Sequence, residues 1–80
     1  MTYKARVKLA DNIHNVLIEK GMQVKELVIR TKYSGVTISR YLNAHTSPRL
    51  CNLAAIARSL GVYIIEIIKG ITLKEMADDD

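Results

Sequence analysis

Eighty residues hold one domain, and with nearly half of them hydrophobic and a quarter charged the composition is globular, which excludes a disordered chain. A single cysteine, Cys51, excludes an internal disulfide or a cysteine zinc cluster, and no apolar run reaches the length of a membrane span. The net charge of +4 is uneven: residues 1–50 carry nine Lys/Arg against three acids, whereas residues 51–80 carry three against five. A basic front half suits a polyanionic partner, although a plain solvated surface gives the same count. With its cysteine single, the simplest compartment is a reducing cytoplasm, and the start lacks a secretory signal pattern.

A chain this short stabilises a compact helical bundle more easily than a large sheet. From about Ala5 to Lys20, Leu9, Ile13, Val16 and Leu17 recur at helical spacing, and Gly21 is placed to stop the helix. A short second helix follows over Val24 to Thr31, with Leu27 and Val28 inward. Gln23 is positioned to cap it weakly, with Glu26 as the reciprocal half of a capping box. Thr31-Lys32-Tyr33 is a tight break, and Ser34 is a good N-cap for a third helix from Gly35 to about Asn43. In that helix Ile38, Tyr41 and Leu42 point inward, leaving Gly35, Val36, Ser39, Arg40 and Asn43 on the opposite side.

Ala44 to Ser47 reads as loop, and Pro48 suits the first turn of a fourth helix. Leu50, Leu53, Ala54, Ile56, Ala57 and Leu60 give that helix a broad apolar face, ended by Gly61. Val62 to Lys69 reads as a fifth short helix, although its isoleucines also suit a strand. The expectation is therefore an all-α bundle of about five helices, one domain over residues 1–72, then an acidic flexible tail over 73–80 that contains Asp78, Asp79 and Asp80.

A catalytic set does not emerge. His14 falls on a helix and His45 in a loop, with no partners at metal-ligand spacing. Cys51, near the start of a core-facing helix, reads as a small buried or half-buried residue rather than a reactive thiol. There is no glycine-rich phosphate loop. The expectation is a protein that is not an enzyme and needs no metal, no cofactor and no small-molecule substrate.

The informative stretch is Val24 to Asn43, a short helix, a tight turn and a second helix. With Leu27-Val28, the Tyr33-Ser34 turn and Thr37-Ile38-Ser39-Arg40-Tyr41-Leu42-Asn43, it resembles the Cro and lambda-repressor type of helix-turn-helix DNA-binding family. The likeness continues through Pro48-Arg49-Leu50 and Ile56-Ala57-Arg58-Ser59-Leu60-Gly61-Val62, and so covers roughly residues 5–69. Three positions depart from the pattern: Lys32 stands where the turn usually has glycine, Val28 where a small residue is usual, and Gln23-Val24 where a Ser/Thr cap and then a phosphate-binding glutamine are common. Lys32 must then tolerate a positive φ or shift the turn.

The resemblance implies that the helix beginning at Ser34 enters the major groove of double-stranded DNA with its N-terminal end toward the bases. Arg40 is the sharpest candidate base reader, because its fork of donors matches the paired acceptors of guanine. Val36 is placed for a thymine methyl, Thr37 and Ser39 for hydrogen bonds, and Gly35 for close backbone approach. Asn43, His45 and Arg49 flank the far end of the helix, Lys32 and Ser34 the near end, and Gln23 the start of the preceding helix; these are the candidate phosphate contacts. The plain alternative is that Val36 packs on its own domain, Arg40 is a solvated charge, and the phosphate candidates are ordinary surface residues.

The family usually dimerises on inverted repeats with half-sites about one helical turn, roughly 34 Å, apart. Ile64, Ile67, Ile68 and Ile71 can face the core, which leaves Tyr63 and Ile65 pointing elsewhere, with Leu73 and Met76 following. Those four are the candidate homodimer interface. The alternatives are a fifth helix buried on two sides, or a C-terminal strand. The resulting functional expectation is a phage-type repressor that binds an operator as a homodimer. Its rival is an antitoxin, or the DNA-binding fragment of a longer regulator, that needs a different partner chain.

Overall fold

The computed structural model describes residues 1–79; Asp80, the last residue of the expected tail, lies outside the described residues. Among the described residues six helices follow one another: α1 (Tyr3–Glu19), α2 (Val24–Thr31), α3 (Gly35–Leu42), α4 (Leu50–Leu60), α5 (Ile64–Ile67) and α6 (Leu73–Ala77). The all-α expectation holds, with one helix more than the periodicity suggests.

Helix α1 starts earlier than Ala5, because Thr2 caps it: its Oγ1 accepts from the Ala5 N–H at 3.1 Å. Its end is set by Gly21 at φ +61°, where the Gly21 and Met22 amides turn back to Ile18 and Leu17. Ala5, Leu9, Ile13, Val16 and Leu17 form the buried face, a stripe at helical spacing that runs through the middle of the core. Helix α1 packs on α3, α5 and α6, while α4 packs on α2 and α5.

In α4, Leu53, Ile56, Ala57 and Leu60 are buried as their spacing dictates. Leu50, Cys51, Ala54 and Arg58 form the opposite stripe and are exposed, Leu50 by 75%. The expected inward positions of Leu50 and Ala54, and the expected burial of Cys51, are thereby corrected. Pro48 is corrected too: it lies before the helix rather than in its first turn, since extended Arg49 is the N-cap residue and its carbonyl accepts from Leu53. Capping of α2 by Gln23 is likewise absent; the residue is extended, with no side-chain bond to the helix.

Helix α5 is shorter than expected, four residues rather than eight. Ile67 is fully buried, and Ile64, Ile68 and Ile71 pack partly buried against the core, as the helical register requires. Asn12 of α1 holds the exit of α5, its Nδ2 donating to the carbonyls of Ile67 and Lys69 at 2.9 and 2.8 Å.

The segment expected to be a flexible tail carries α6. Thr72 and Glu75 make a reciprocal capping box, the Glu75 N–H donating to Thr72 Oγ1 and the Thr72 N–H to Glu75 Oε1, each at 3.1 Å. Tertiary contacts add to it: Lys8 reaches Glu75 at 3.2 Å, and the Thr2 N–H donates to the Glu75 carbonyl at 2.9 Å. A five-residue helix is too short to persist alone, so these links to α1 supply what local propensity lacks.

Candidate nucleic-acid interface

The site is built from the turn between α2 and α3 outward. Thr31 closes α2 by folding its hydroxyl back onto the Leu27 carbonyl at 2.9 Å. Lys32 then takes the left-handed conformation, φ 63° and ψ 14°, with its N–H bonded to the Val28 carbonyl. The turn has therefore kept its shape and placed a lysine at a strained angle, where glycine would meet no penalty. Ser34 is extended, and its Oγ accepts from the Thr37 N–H at 3.1 Å, so α3 begins where the cap residue predicts.

The buried set of α3 is Ile38, Tyr41 and Leu42, as expected. Gly35, Val36, Ser39 and Arg40 lie on the solvent side, with Val36 67% exposed, and Thr37 is half-buried beside them. A side chain at Gly35 would meet open space, so nothing in the domain's own packing requires glycine there. Exposure of an apolar Val36 beside that opening is a feature the domain's own core does not account for.

At the far end α3 closes with Ala44 in the left-handed conformation at φ 60°. Its N–H and that of His45 return to the Tyr41 and Arg40 carbonyls, at 3.2 and 2.9 Å. Asn43 folds its Nδ2 back onto the Ser39 carbonyl and hydroxyl at 2.8 and 3.1 Å. Ser39 and Asn43 thus hold each other, and the Ser39 hydroxyl keeps its proton for an outside acceptor. His45 and Arg49 are exposed beyond them, as are Lys32, Ser34 and Gln23.

The charge of this part of the chain is of one sign, and its basic side chains are exposed. Between Thr31 and Arg58 the chain has no acidic residue and four basic ones, Lys32, Arg40, Arg49 and Arg58. An open depression of about 810 Å³ lies where the end of α2 meets α4 and is lined in part by Arg30, Lys32, Cys51 and Arg58. Glu26, the acid of α2, is paired with Arg30 at 2.9 Å. A surface of this sign attracts a polyanion, and α3 presents its exposed face within that stretch. Among the described residues, no three His, Cys, Asp or Glu side chains are grouped to hold a metal ion. Nor is any described helix long and apolar enough to cross a membrane.

The candidate base residues Gly35, Val36, Thr37, Ser39 and Arg40 lie on α3, with Lys32 and Ser34 just before it and Asn43 and His45 just after; Arg49 is the N-cap residue of α4 and Gln23 that of α2. The candidate interface residues lie elsewhere: Tyr63, the N-cap residue of α5, is 82% exposed and Ile65 within α5 68%, Leu73 is 84% exposed on α6, and Met76 is half-buried. Sequence reasoning missed Asn52, whose side chain bonds both Tyr33 and Tyr41. Its signal was a lone amide among the apolar residues of the first turns of α4, in a chain with two tyrosines nearby that need partners. Arg6 was missed as well; its Nε donates to the Ala44 carbonyl at 3.0 Å.

Comparison with known proteins agrees with this geometry. The model of the Cro/C1-type HTH DNA-binding domain matches residues 12–72. Among solved structures, the hypothetical transcription factor NHTF from Neisseria is similar, with a TM-score of 0.75 and 23% identity over 80% of this chain and 74% of that one. At that identity the likeness speaks for the fold. No curated protein matches the chain.

Proposed function

Because the chain belongs to the Cro/C1-type helix-turn-helix DNA-binding family, we propose that it is a sequence-reading transcriptional regulator, of the phage-repressor type, that binds an inverted-repeat operator as a homodimer. The observation that carries this reading is the exposed face of α3: Gly35, Val36, Ser39 and Arg40 stand outward on a helix whose other face is locked into the core. In this reading α3 lies in the major groove. Arg40 reads guanine through two donors, Val36 packs on a thymine methyl, and Thr37 and Ser39 hydrogen-bond base edges. Lys32, Ser34, Asn43, His45, Arg49 and Gln23 hold phosphates and set the register. The protein acts by occupying DNA, without chemistry or cofactor, in the cytoplasm.

The homodimer rests on dimensions and on α5. Half-sites one helical turn apart are separated by roughly 34 Å, more than the 31 Å longest dimension of the domain. Two copies are needed to read both on one face of the duplex. In this reading Tyr63 and Ile65 supply apolar surface for that pairing, together with Leu73 and the half-buried Met76.

Selection of bound duplexes from a random pool at physiological salt tests the proposal. An enriched inverted repeat is the expected result. A single half-site would remove the dimer, and salt-sensitive binding without enrichment would overturn the regulator reading.

A further inference from the structure

Helix α3 packs on α1 and α2, whereas α4 packs on α2 and α5. One side chain joins α4 to both ends of α3. Asn52 lies in the first turn of α4 and is half-buried. Its Oδ1 accepts from the Tyr33 hydroxyl at 3.0 Å, and its Nδ2 donates to the Tyr41 hydroxyl at 2.7 Å. The Cys51 thiol approaches the same Oδ1 at 3.5 Å. Tyr33 stands in the turn just before α3, and Tyr41 is the next-to-last residue of α3, 8% exposed.

We propose that Asn52 is a positioning residue for sequence reading: by holding Tyr33 and Tyr41 it fixes the rotation of α3 relative to the start of α4. The role rests on the regulator reading above and adds to it a physical link between two kinds of DNA contact. Arg40, the base reader, immediately precedes Tyr41; Arg49, a phosphate contact, is the N-cap residue of the helix that carries Asn52. A phosphate clamp sets where the protein sits, and base reading works only if the recognition helix is rigidly registered to that clamp. The amide suits the task because it supplies one acceptor and one donor a few ångströms apart, so each tyrosine hydroxyl has a directed partner. Apolar packing permits a helix to roll; two hydrogen bonds at its two ends resist it.

The test uses the full chain, with Asn52→Leu and Asn52→Asp beside wild type. Affinity is measured for the duplex that wild type enriches from a random pool and for a scrambled duplex of equal length. Amide hydrogen exchange is followed in the free proteins. Asn52→Leu should lower the specific-to-scrambled ratio by about 5- to 30-fold, the effect of losing two hydrogen bonds. It should also speed exchange in α3 while leaving α1 protected. The aspartate can accept from both hydroxyls, so Asn52→Asp should keep the ratio even though its charge weakens both duplexes alike. Should Asn52→Leu fail to fold, Tyr33→Phe and Tyr41→Phe each remove one bond and should each lower the ratio. An unchanged ratio in these variants, a ratio lost equally in Asn52→Asp, or exchange that speeds equally in α1 and α3 would overturn the positioning role alone. Wild type that enriches no sequence would instead overturn the regulator reading, and this role with it.

Discussion

Arg6 donates from Nε to the carbonyl oxygen of Ala44 at 3.0 Å, so the first turns of α1 grip the chain at the point where it leaves α3. The same guanidinium donates to the Met1 carbonyl at 3.0 Å and lies 5.5 Å from the Tyr3 ring centroid. Ala44 is a left-handed residue without glycine's freedom, and a charge-assisted bond on its carbonyl helps to hold it there. Arg6→Ala should destabilise the fold by about 1.5–3 kcal/mol in denaturant unfolding. Arg6→Lys should not restore it, because a point-charge ammonium cannot reproduce the planar fork that reaches two carbonyls.

Lys32 sets stability against binding. Its left-handed conformation costs roughly 1–2 kcal/mol in an L-residue, which glycine avoids at some cost in chain entropy. Lys32→Gly should therefore raise stability by about 1 kcal/mol, read as a higher melting temperature. The same change should weaken all duplexes evenly and lower the salt dependence of binding by about one counterion, as expected for a phosphate contact.

The α5 surface gives a test of assembly. Ile65 is 68% exposed, so its replacement leaves the core untouched. Ile65→Asp should leave the helical circular dichroism unchanged, convert a dimer to monomer in sedimentation velocity at high micromolar concentration, and weaken operator binding. A wild-type chain that stays monomeric at that concentration would favour the rival reading, in which a different partner covers α5.

Glu75 ties α6 to α1, and its pH behaviour follows from its partners. The backbone N–H of Thr72, with further help from Lys8, holds its carboxyl below the ordinary value of 4.5 despite partial desolvation. A carboxylate lowered in the folded state contributes stability that is present above the ordinary value and lost as pH falls through the lowered one. Glu75→Gln should thus reduce thermal stability near neutrality, and the gap to wild type should close as the medium is acidified below that window. A gap of constant size at every pH would mean that the charge of Glu75 is not what matters.

Most of the architecture was legible because it is local. Ile38, Tyr41 and Leu42 repeat at the helical period, Ser34 precedes them as a cap, and the outward residues follow by subtraction. Lys32 was legible as a strained position once a left-handed turn was expected. The misses share a physical cause. The signature Thr72-Leu73-Lys74-Glu75 is a capping box on its face, yet five residues cannot nucleate a helix without Thr2 and Lys8, which lie at the other end of the chain. Asn52 and Arg6 act through bonds to residues far away in sequence, and periodicity carries no trace of such bonds. Leu50 and Ala54 were misassigned because a helix with apolar residues on several sides gives no unique inward face.

Arg40 is exposed on the outer face of α3, and the most direct measurement of its role is duplex selection with wild type and Arg40→Ala side by side. Wild type should select an inverted repeat with a guanine fixed at one position of each half-site. The variant should keep the repeat, lose about 1–3 kcal/mol of affinity and relax that one position. Equal weakening on every duplex would make Arg40 a phosphate contact, and the absence of any enriched repeat for wild type would contradict the reading of α3 as the recognition helix.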